Sequence, residues 1–395
     1  MRRLVTGAIA AGLLLLGPAL AAGPPPDPNP AMNNPDKTAW QLFIEVNART
    51  AGGAALFETW ASDTDTFKPN PKFPAGVRAL TLHPPALESA ERQALQKAGQ
   101  LIPQIPPGTP TNLEESRRNQ AAFDFIVKND LYSVSGLKKA FGRQLVFPVD
   151  SIEVKGNWMP VSDVPKWTLG RVSAADVPKA FHVNTGSDGK QYALVSMHVI
   201  SKLVPNWTWA TFENEYNPSR CDIIGCHDGF GAQAANVAPN PQAGQGYPPC
   251  TKSTALALLI AQGHLDPVFG HYCLKGSMTD FTDDTGLAIR LGNSVTEEGF
   301  VGSSSCMTCH GRAAWDADAN PTPNAGLLSI KPLVGPIGPL QPNWFWSFVG
   351  PPPIYQGQPG LKRVMSTADF VWSIPFCAYD DSDPQHPQPS PCEGK

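Results

Sequence analysis

The sequence predicts an α+β protein that is rich in loops, with antiparallel strands and short helices. Proline accounts for 42 of the 395 residues and glycine for 35, and both residue types interrupt long helices and central strands. Segments with the period-two alternation of strands do not alternate regularly with helical segments, which argues against a doubly wound parallel sheet. The hydrophobic fraction of 42% supplies enough apolar side chains for a buried core.

Residues 1–21 have the pattern of a cleavable signal peptide. Arginines at positions 2 and 3 precede an apolar run that ends at Leu16, and Ala19 and Ala21 offer the small residues that a signal peptidase needs. The run is shorter than the ~20 residues of a spanning helix. We therefore expect cleavage, no membrane span in the mature chain, and a location in the periplasm or outside the cell.

The rest of the chain divides by composition into four regions. They are a proline-rich linker at 22–37, an α+β domain at 38–220, a cysteine-rich region at 221–379 and a polar tail at 380–395. The apolar spacing predicts elements within them. These are helices starting at Thr38 and lying within 86–99, 114–129 and 254–263, and strands at 145–154 and 191–201, the second continuing toward 207–212.

The segment SSSCMTCHGR at 303–312 contains C-x-x-C-H, the attachment pattern of c-type haem. The spacing sets two thiols apart by the distance between the two vinyl groups of the porphyrin, and it places the next histidine under the iron. A redox dithiol should follow a strand in a βαβ unit, and a zinc site needs a second Cys/His pair. The sequence therefore predicts one haem c on Cys306 and Cys309, with His310 as an iron ligand, and 221–379 as the haem-binding region.

A second segment, CDIIGCH, has the rarer spacing C-x4-C-H. A second haem on Cys221, Cys226 and His227 is an alternative, but we favour a disulfide because Gly225 indicates a turn rather than a helix start. Disulfides are expected in an oxidising compartment. Cys221 and Cys226 could pair with each other or with other cysteines. Bridges of Cys250 with Cys273 and of Cys377 with Cys392 are plausible under either interpretation, but the sequence does not fix the connectivity.

The sixth iron ligand decides the function: a Met or His at this position gives an electron-transfer haem, whereas an open position permits peroxide or oxygen chemistry. Met365 follows the motif at a distance suited to a distal methionine, so we predict it as a metal ligand, with His198 and His271 as rivals. Glu297 and Glu298 are candidates for acid/base catalysis, although a solvated pair is the simpler interpretation. The aspartates of TDFTDDTG at 279–286 predict a capped turn rather than a Ca²⁺ site, because the spacing is not that of an EF-hand.

Several blocks resemble exported bacterial proteins of the cytochrome c family whose function is unknown. The blocks include TAWQLFIEVN at 38–47, NQAAFDFIVKNDLYS at 119–133, SMHVISKLVPNWTWATFE at 196–213 and GNSVTEEGFVGSSSCMTCHGRA at 292–313. The resemblance covers most of the mature chain and implies a single haem on Cys306, Cys309 and His310, but no substrate. Ala48-Arg49 stands where these proteins usually have Trp-Pro.

The expected function is electron transfer by an extracytoplasmic c-type cytochrome. The partner would be a redox protein or a small electron donor or acceptor. The alternative is a haem-dependent oxidoreductase, a peroxidase or oxygenase, with an open distal site. The net charge of −4, with no stretch that combines clustered basic and aromatic residues, argues against nucleic-acid binding.

Overall fold

The computed structural model describes residues 28–84, 112–240, 247–298, 300–322, 329–330, 333–334, 336–348, 360–382, 390 and 392. The predicted signal peptide and the predicted helix within 86–99 lie outside these residues. Within the described part, no helix is both long enough and apolar enough to cross a membrane.

An antiparallel sheet of seven strands forms the centre of the protein, which confirms the α+β prediction with antiparallel strands and short helices. Its strands are β1 (Ala61–Ser62), β2 (Leu113–Arg118), β3 (Ile152–Pro160), β4 (Val183–Thr185), β5 (Gln191–Ser201), β6 (Thr208–Asn214) and β9 (Tyr272–Met278). They pair in the order β1-β2-β3-β5-β6-β9, and β4 adds to β5. The last of these strands, β9, comes from the predicted 221–379 region and pairs with β6 of the 38–220 region.

Short helices and two-stranded ribbons surround the sheet. The helices are α1 (Pro28–Asn33), α2 (Pro35–Val46), α3 (Asp63–Thr66), α4 (Gln120–Lys128), α5 (Val134–Ala140), α6 (Val164–Trp167), α7 (Val177–Ala180), α8 (Thr254–Gln262), α9 (Cys306–Gly311) and α10 (Ser373–Cys377). The ribbons pair β7 (Cys226–His227) with β8 (Asn236–Val237), β10 (Ala314–Trp315) with β15 (Ser366–Thr367), β11 (Ser329–Ile330) with β12 (Leu333–Val334), and β13 (Trp346–Phe348) with β14 (Leu361–Arg363).

Two predicted elements have the expected bounds. The strand at 191–201 is β5. The helix at 254–263 is α8, which Ser253 caps by accepting a hydrogen bond from the Leu256 N–H. The expected continuation toward 207–212 is instead a separate strand, β6. The chain reverses before it at Trp207, whose φ is 62°.

The predicted helix at 114–129 is wrong in its first part. Residues 113–118 form β2, and the helix α4 starts after Asn119, whose Oδ1 accepts a hydrogen bond from the Ala122 N–H. The charged residues of 114–118 are buried in cross-strand contacts that sequence spacing does not reveal. Arg118, for example, bonds Glu153 on β3 at 3.1 Å. These tertiary ion pairs outweigh the helix propensity of Glu and Arg.

The predicted strand at 145–154 starts later, at Ile152. Leu145 and Phe147 are buried, as in a strand, but they belong to a loop that packs against other parts of the core. The backbone N–H of Phe147 donates to Asp369 Oδ2 at 2.8 Å rather than to a neighbouring strand. Burial of apolar side chains in a loop therefore mimics strand alternation here.

The described part of the predicted linker at 22–37 is helical, and the helix predicted from Thr38 begins at Pro35. Asn34 caps α2 by accepting a hydrogen bond from the Lys37 N–H. Asp36 is buried and accepts hydrogen bonds from the Gly229 N–H and the Ser277 hydroxyl. These contacts attach the described part of the segment to the protein body.

The two faces of the sheet differ in polarity. Apolar side chains of β5, β6 and β9 pack against α2, where the Phe43 ring lies 4.3 Å from that of Phe212. The opposite face carries polar residues that are buried or half-buried, among them Glu213, Lys155 and His198. Burying charges is costly unless they are paired, so this second face is under a constraint other than packing.

Three disulfides join Cys221 to Cys226, Cys250 to Cys273, and Cys377 to Cys392, which agrees with the expectation of disulfide bonds and gives the connectivity that the sequence left open. The last bridge attaches the polar tail, and the Ser390 hydroxyl donates to the Cys377 carbonyl at 2.6 Å. Asp381 also accepts a hydrogen bond from the Ser135 N–H at 2.8 Å.

Candidate functional site

The C-x-x-C-H motif forms α9, and the serine directly before it sets the start of this helix. Ser305 is the N-cap, and its Oγ accepts a hydrogen bond from the Thr308 N–H. Cys306 and Cys309 lie three residues apart on this helix and therefore share a face. The backbone of Cys306 is held by the Leu291 carbonyl, which accepts its N–H at 3.2 Å.

Cys306 and Cys309 are free thiols, whereas the other six cysteines are all paired. Burial raises the pKa of Cys306 well above its usual value and raises that of Cys309 to about 11. Both thiols are therefore protonated at neutral pH, unlike the activated thiolate of a redox dithiol. Among the described residues, the groups of three or more clustered metal-type ligands do not include these cysteines.

The His310 ring is fixed by one hydrogen bond and one aromatic contact. Its Nδ1 lies 2.9 Å from the Phe370 carbonyl, which can only accept, so Nδ1 carries the proton and Nε2 keeps its lone pair. The ring centroid lies 4.7 Å from that of Trp209. Burial lowers the pKa of His310 to about 4, so the ring is neutral. A neutral imidazole whose Nδ1–H is bound to a carbonyl is the form that ligates a metal through Nε2.

The motif lies against apolar and aromatic side chains. Cys306, Met307 and Trp209 belong to one hydrophobic cluster. Phe281, Phe370 and Trp372 pack against the same cluster while remaining partly exposed. The surroundings of the two thiols are thus apolar on one side.

On the side of the sheet, the motif meets a group of buried and half-buried polar residues that we call the polar cluster. Its members are Lys155 and Asn157 on β3, Ser196 and His198 on β5, Thr211 and Glu213 on β6, Lys275 on β9, and Asn293, Ser294, Thr296 and Glu297 in the loop before the motif. Hydrogen bonds connect most of them, including Ser294 Oγ to Glu213 Oε2 at 2.5 Å and Thr296 Oγ1 to Asn157 Oδ1 at 2.6 Å. The charges of Glu297 and Lys155 both act on the pKa of Cys306 and of Cys309.

His198 is a hydrogen-bonded member of this cluster. The Asn293 side chain accepts two backbone N–H bonds through Oδ1, from Val295 and Thr296, so its Nδ2 is the end that faces His198 Nε2 at 3.0 Å. His198 Nε2 therefore accepts, and its lone pair is occupied. Burial lowers the pKa of His198 to about 3. This arrangement agrees with a structural histidine rather than with the rival iron ligand.

Glu297 and Glu298 differ, and the expected solvated pair is wrong for the first of them. Glu298 is exposed, whereas Glu297 is buried and accepts a hydrogen bond from the Asn293 N–H at 2.6 Å. Burial raises the pKa of Glu297 to about 7. A turn places the neighbouring side chains on opposite sides, which the sequence of two adjacent glutamates does not reveal.

The structure places the other iron-ligand candidates as follows. Met365 lies between β14 and β15, half-buried, and its backbone N–H donates to the Phe345 carbonyl at 3.2 Å. No hydrogen bond among the described residues joins its side chain to His310, and its ligand role remains a prediction. His271 Nδ1 is hydrogen-bonded to Glu215 Oε1 at 2.7 Å.

The C-x4-C-H segment at 221–227 and the aspartate-rich turn at 279–286 make disulfide and hydrogen-bond contacts within the fold. Cys221 and Cys226 form a disulfide, so the alternative of a second haem has lost both thiols. His227 is exposed and contacts Asn236 at 2.7 Å. The carboxylate of Asp283 accepts hydrogen bonds from backbone N–H groups of its own turn, as predicted for a cap.

Comparisons with protein-family models, with curated proteins and with solved structures found no match to this chain. The site is therefore interpreted from its own chemistry. The polar cluster was not predicted as a unit, because its members come from four strands and one loop, and no spacing in the sequence connects them.

Proposed function

We propose that this protein is an extracytoplasmic c-type cytochrome that holds one haem and transfers electrons. The haem would bind covalently to Cys306 and Cys309, and His310 Nε2 would ligate the iron. The observation that carries the proposal is the state of the motif. Its thiols are the only unpaired ones among the described cysteines, and the Nδ1–H bond to Phe370 leaves Nε2 with a free lone pair.

The residues around the motif suit a porphyrin. The aromatic side chains of Trp209, Phe370 and Trp372 offer apolar contact, and low polarity around a haem is one determinant of its reduction potential. When bound, the haem supplies a one-electron redox centre. The protein's part is to hold the imidazole in one tautomer and orientation and to limit access of water.

Three disulfides support maturation in an oxidising compartment, where haem c is also attached. We propose the periplasm or the exterior of the cell as the location. A redox protein or a small electron carrier would be the partner.

A second candidate is a haem-dependent oxidoreductase with an open distal site. The observation in its favour is the polar cluster, in which Glu297 has a pKa of about 7 and lies close enough to act electrostatically on the two thiols. A carboxyl group that exchanges protons near neutral pH is suited to general acid/base catalysis. Electron transfer is preferred because Glu297 is buried and its carboxylate accepts the Asn293 N–H, an arrangement that does not offer it to a substrate from solvent.

The test is to produce the chain with its own N-terminus in a bacterium that attaches haem c. Intact mass should increase by one haem per chain, and the reduced spectrum should show the bands of a six-coordinate low-spin haem. These bands should be unchanged by carbon monoxide. A spectrum that changes with carbon monoxide would favour the second candidate, and a colourless protein would refute both.

Met365→Ala tests the predicted sixth ligand. We expect loss of the low-spin spectrum and new binding of carbon monoxide, because removing the thioether opens one side of the iron. The matched control is Met32→Ala, since Met32 is exposed on α1. An unchanged spectrum in Met365→Ala would remove this residue as a ligand without affecting the assignment of His310.

A further inference from the structure

The polar cluster, taken together with Glu114 on β2, which pairs with one of its lysines, contains three carboxylates and two lysines. Lys155 is ion-paired with Glu114, and Lys275 Nζ lies 3.4 Å from Glu213 Oε1. These two pairs are each neutral. Glu297 is the additional acid.

The group that faces Glu297 at ion-pair distance is the ring of His198, with Nε2 3.8 Å from Oε1. Because the pKa of His198 is lowered to about 3, this ring is neutral and provides no counter-charge. An ionised Glu297 is therefore a net negative charge in a buried environment, and binding one proton removes it.

Glu297 lies close to the backbone that supports the motif. A Cβ added to Gly292 would lie 2.6 Å from Ser304 Oγ and 3.2 Å from Glu297 Cγ, so both side chains abut this glycine. The preceding residue, Leu291, accepts hydrogen bonds through its carbonyl from the N–H and Sγ of Cys306. A charge change on a group bound at Cys306 would thus act on Glu297 through buried, weakly screening protein.

We propose that Glu297 binds a proton when the haem on Cys306 and Cys309 is reduced, and releases it when the haem is oxidised. This inference rests on the proposed function. On reduction, a one-electron donor supplies an electron to ferric haem, and a proton from solvent forms an O–H bond on the Glu297 carboxylate. On oxidation, the electron leaves to an acceptor and that O–H bond breaks. The protein would therefore transfer a proton with each electron.

The sign follows from electrostatics. Each electron adds negative charge near Glu297, which disfavours its ionised form and raises its pKa in the reduced protein. The starting pKa of about 7 places the exchange near neutral pH.

Of the charged and titratable groups around Glu297, none other is expected to exchange a proton near neutral pH. They are Glu114 on β2, Lys155 on β3, His198 on β5, Glu213 on β6, Lys275 on β9, and Cys306, Cys309 and His310 on α9. The cysteines are consumed by haem attachment and the lysines are paired with the other two glutamates. His198 has a pKa far below neutral, and His310 is committed to the iron.

The test is the reduction potential of the haem-loaded protein, measured by optical redox titration between pH 5 and pH 9. A tenfold change in proton activity corresponds to about 59 mV for a one-electron couple with one coupled proton. We expect the wild-type potential to fall with rising pH, approaching this slope around neutral pH. Glu297→Gln should remove the slope there, Glu297→Asp should retain one, and Glu298→Gln, at the exposed neighbour, should behave as wild type.

A second measurement needs no variant. The infrared difference spectrum between reduced and oxidised wild-type protein should show a protonated carboxyl band that appears on reduction and shifts in D₂O. The inference is overturned if the wild-type potential does not depend on pH in this range, if Glu297→Gln keeps the slope, or if no such band appears. Failure of the proposed function is distinct from these outcomes, because a chain without haem gives no redox spectrum.

Discussion

A double variant with Cys306→Ala and Cys309→Ala is expected to lose covalent haem completely. Each thiol would form one thioether bond to a vinyl group, so removing both leaves no covalent attachment. Intact mass under denaturing conditions should fall from chain plus one haem to chain alone. Any haem that remains through the His310 ligand should be extracted by acidified organic solvent.

The matched control is a double variant with Cys221→Ala and Cys226→Ala. It removes the same number of sulfurs from the other C-H motif, and those sulfurs form a disulfide in the structure. We expect this variant to keep one haem per chain and an unchanged spectrum. If the control loses haem and the first variant keeps it, the haem is attached at Cys221 and Cys226, and the proposal is contradicted.

The motif and some of the fold were accessible from sequence because their signals are local. C-x-x-C-H needs only one turn of helix, and the structure provides that turn at Cys306–Gly311. The strand at 191–201 is a long β-rich run, and the helix at 254–262 is apolar with a Ser cap and a Gly end. In each case the deciding information lies within about ten residues.

The errors arose where distant residues decide the local structure. Residues 114–118 have helix-forming charges, yet they form a strand because Arg117 and Arg118 find buried acceptors. Similarly, the sequence suggests that Glu297 is half of a solvated pair, whereas the hydrogen-bonded turn at 293–297 leaves it buried. The acids and bases of the polar cluster become visible as a group only when the strands are aligned in register.

Arg118→Met is expected to destabilise the fold by about 3–5 kcal/mol, the range for breaking a buried ion pair on one side. The Arg118 guanidinium is fully buried and is ion-paired with both Asp63 and Glu153. It also donates to the Ser62 carbonyl and to Thr66 Oγ1. Methionine fills much of the volume, but it leaves two carboxylates in a buried environment without a cation. The measurement is urea-induced unfolding followed by circular dichroism.

The pH dependence of the destabilisation by Arg118→Met shows whether the lost charge or the changed packing causes it. Burial raises the pKa of Glu153 in the wild-type fold, while Arg118 lowers it, so the variant should raise that pKa further. A raised carboxyl pKa in the folded state means that the fold binds protons more tightly than the unfolded chain does. The destabilisation should therefore be largest above the raised pKa and should shrink as the pH falls through it.

The control is Arg49→Met, which breaks the exposed pair with Asp266. Exposed ion pairs contribute about 0–1 kcal/mol, so this variant should unfold at nearly the wild-type urea concentration at every pH. A loss for Arg118→Met that matches the control, or that stays constant between pH 8 and pH 5, would show that packing rather than charge dominates at this position. The register of β2 against β3 would then depend on apolar contacts. The buried ion pairs would not explain why residues 113–118 form a strand rather than a helix.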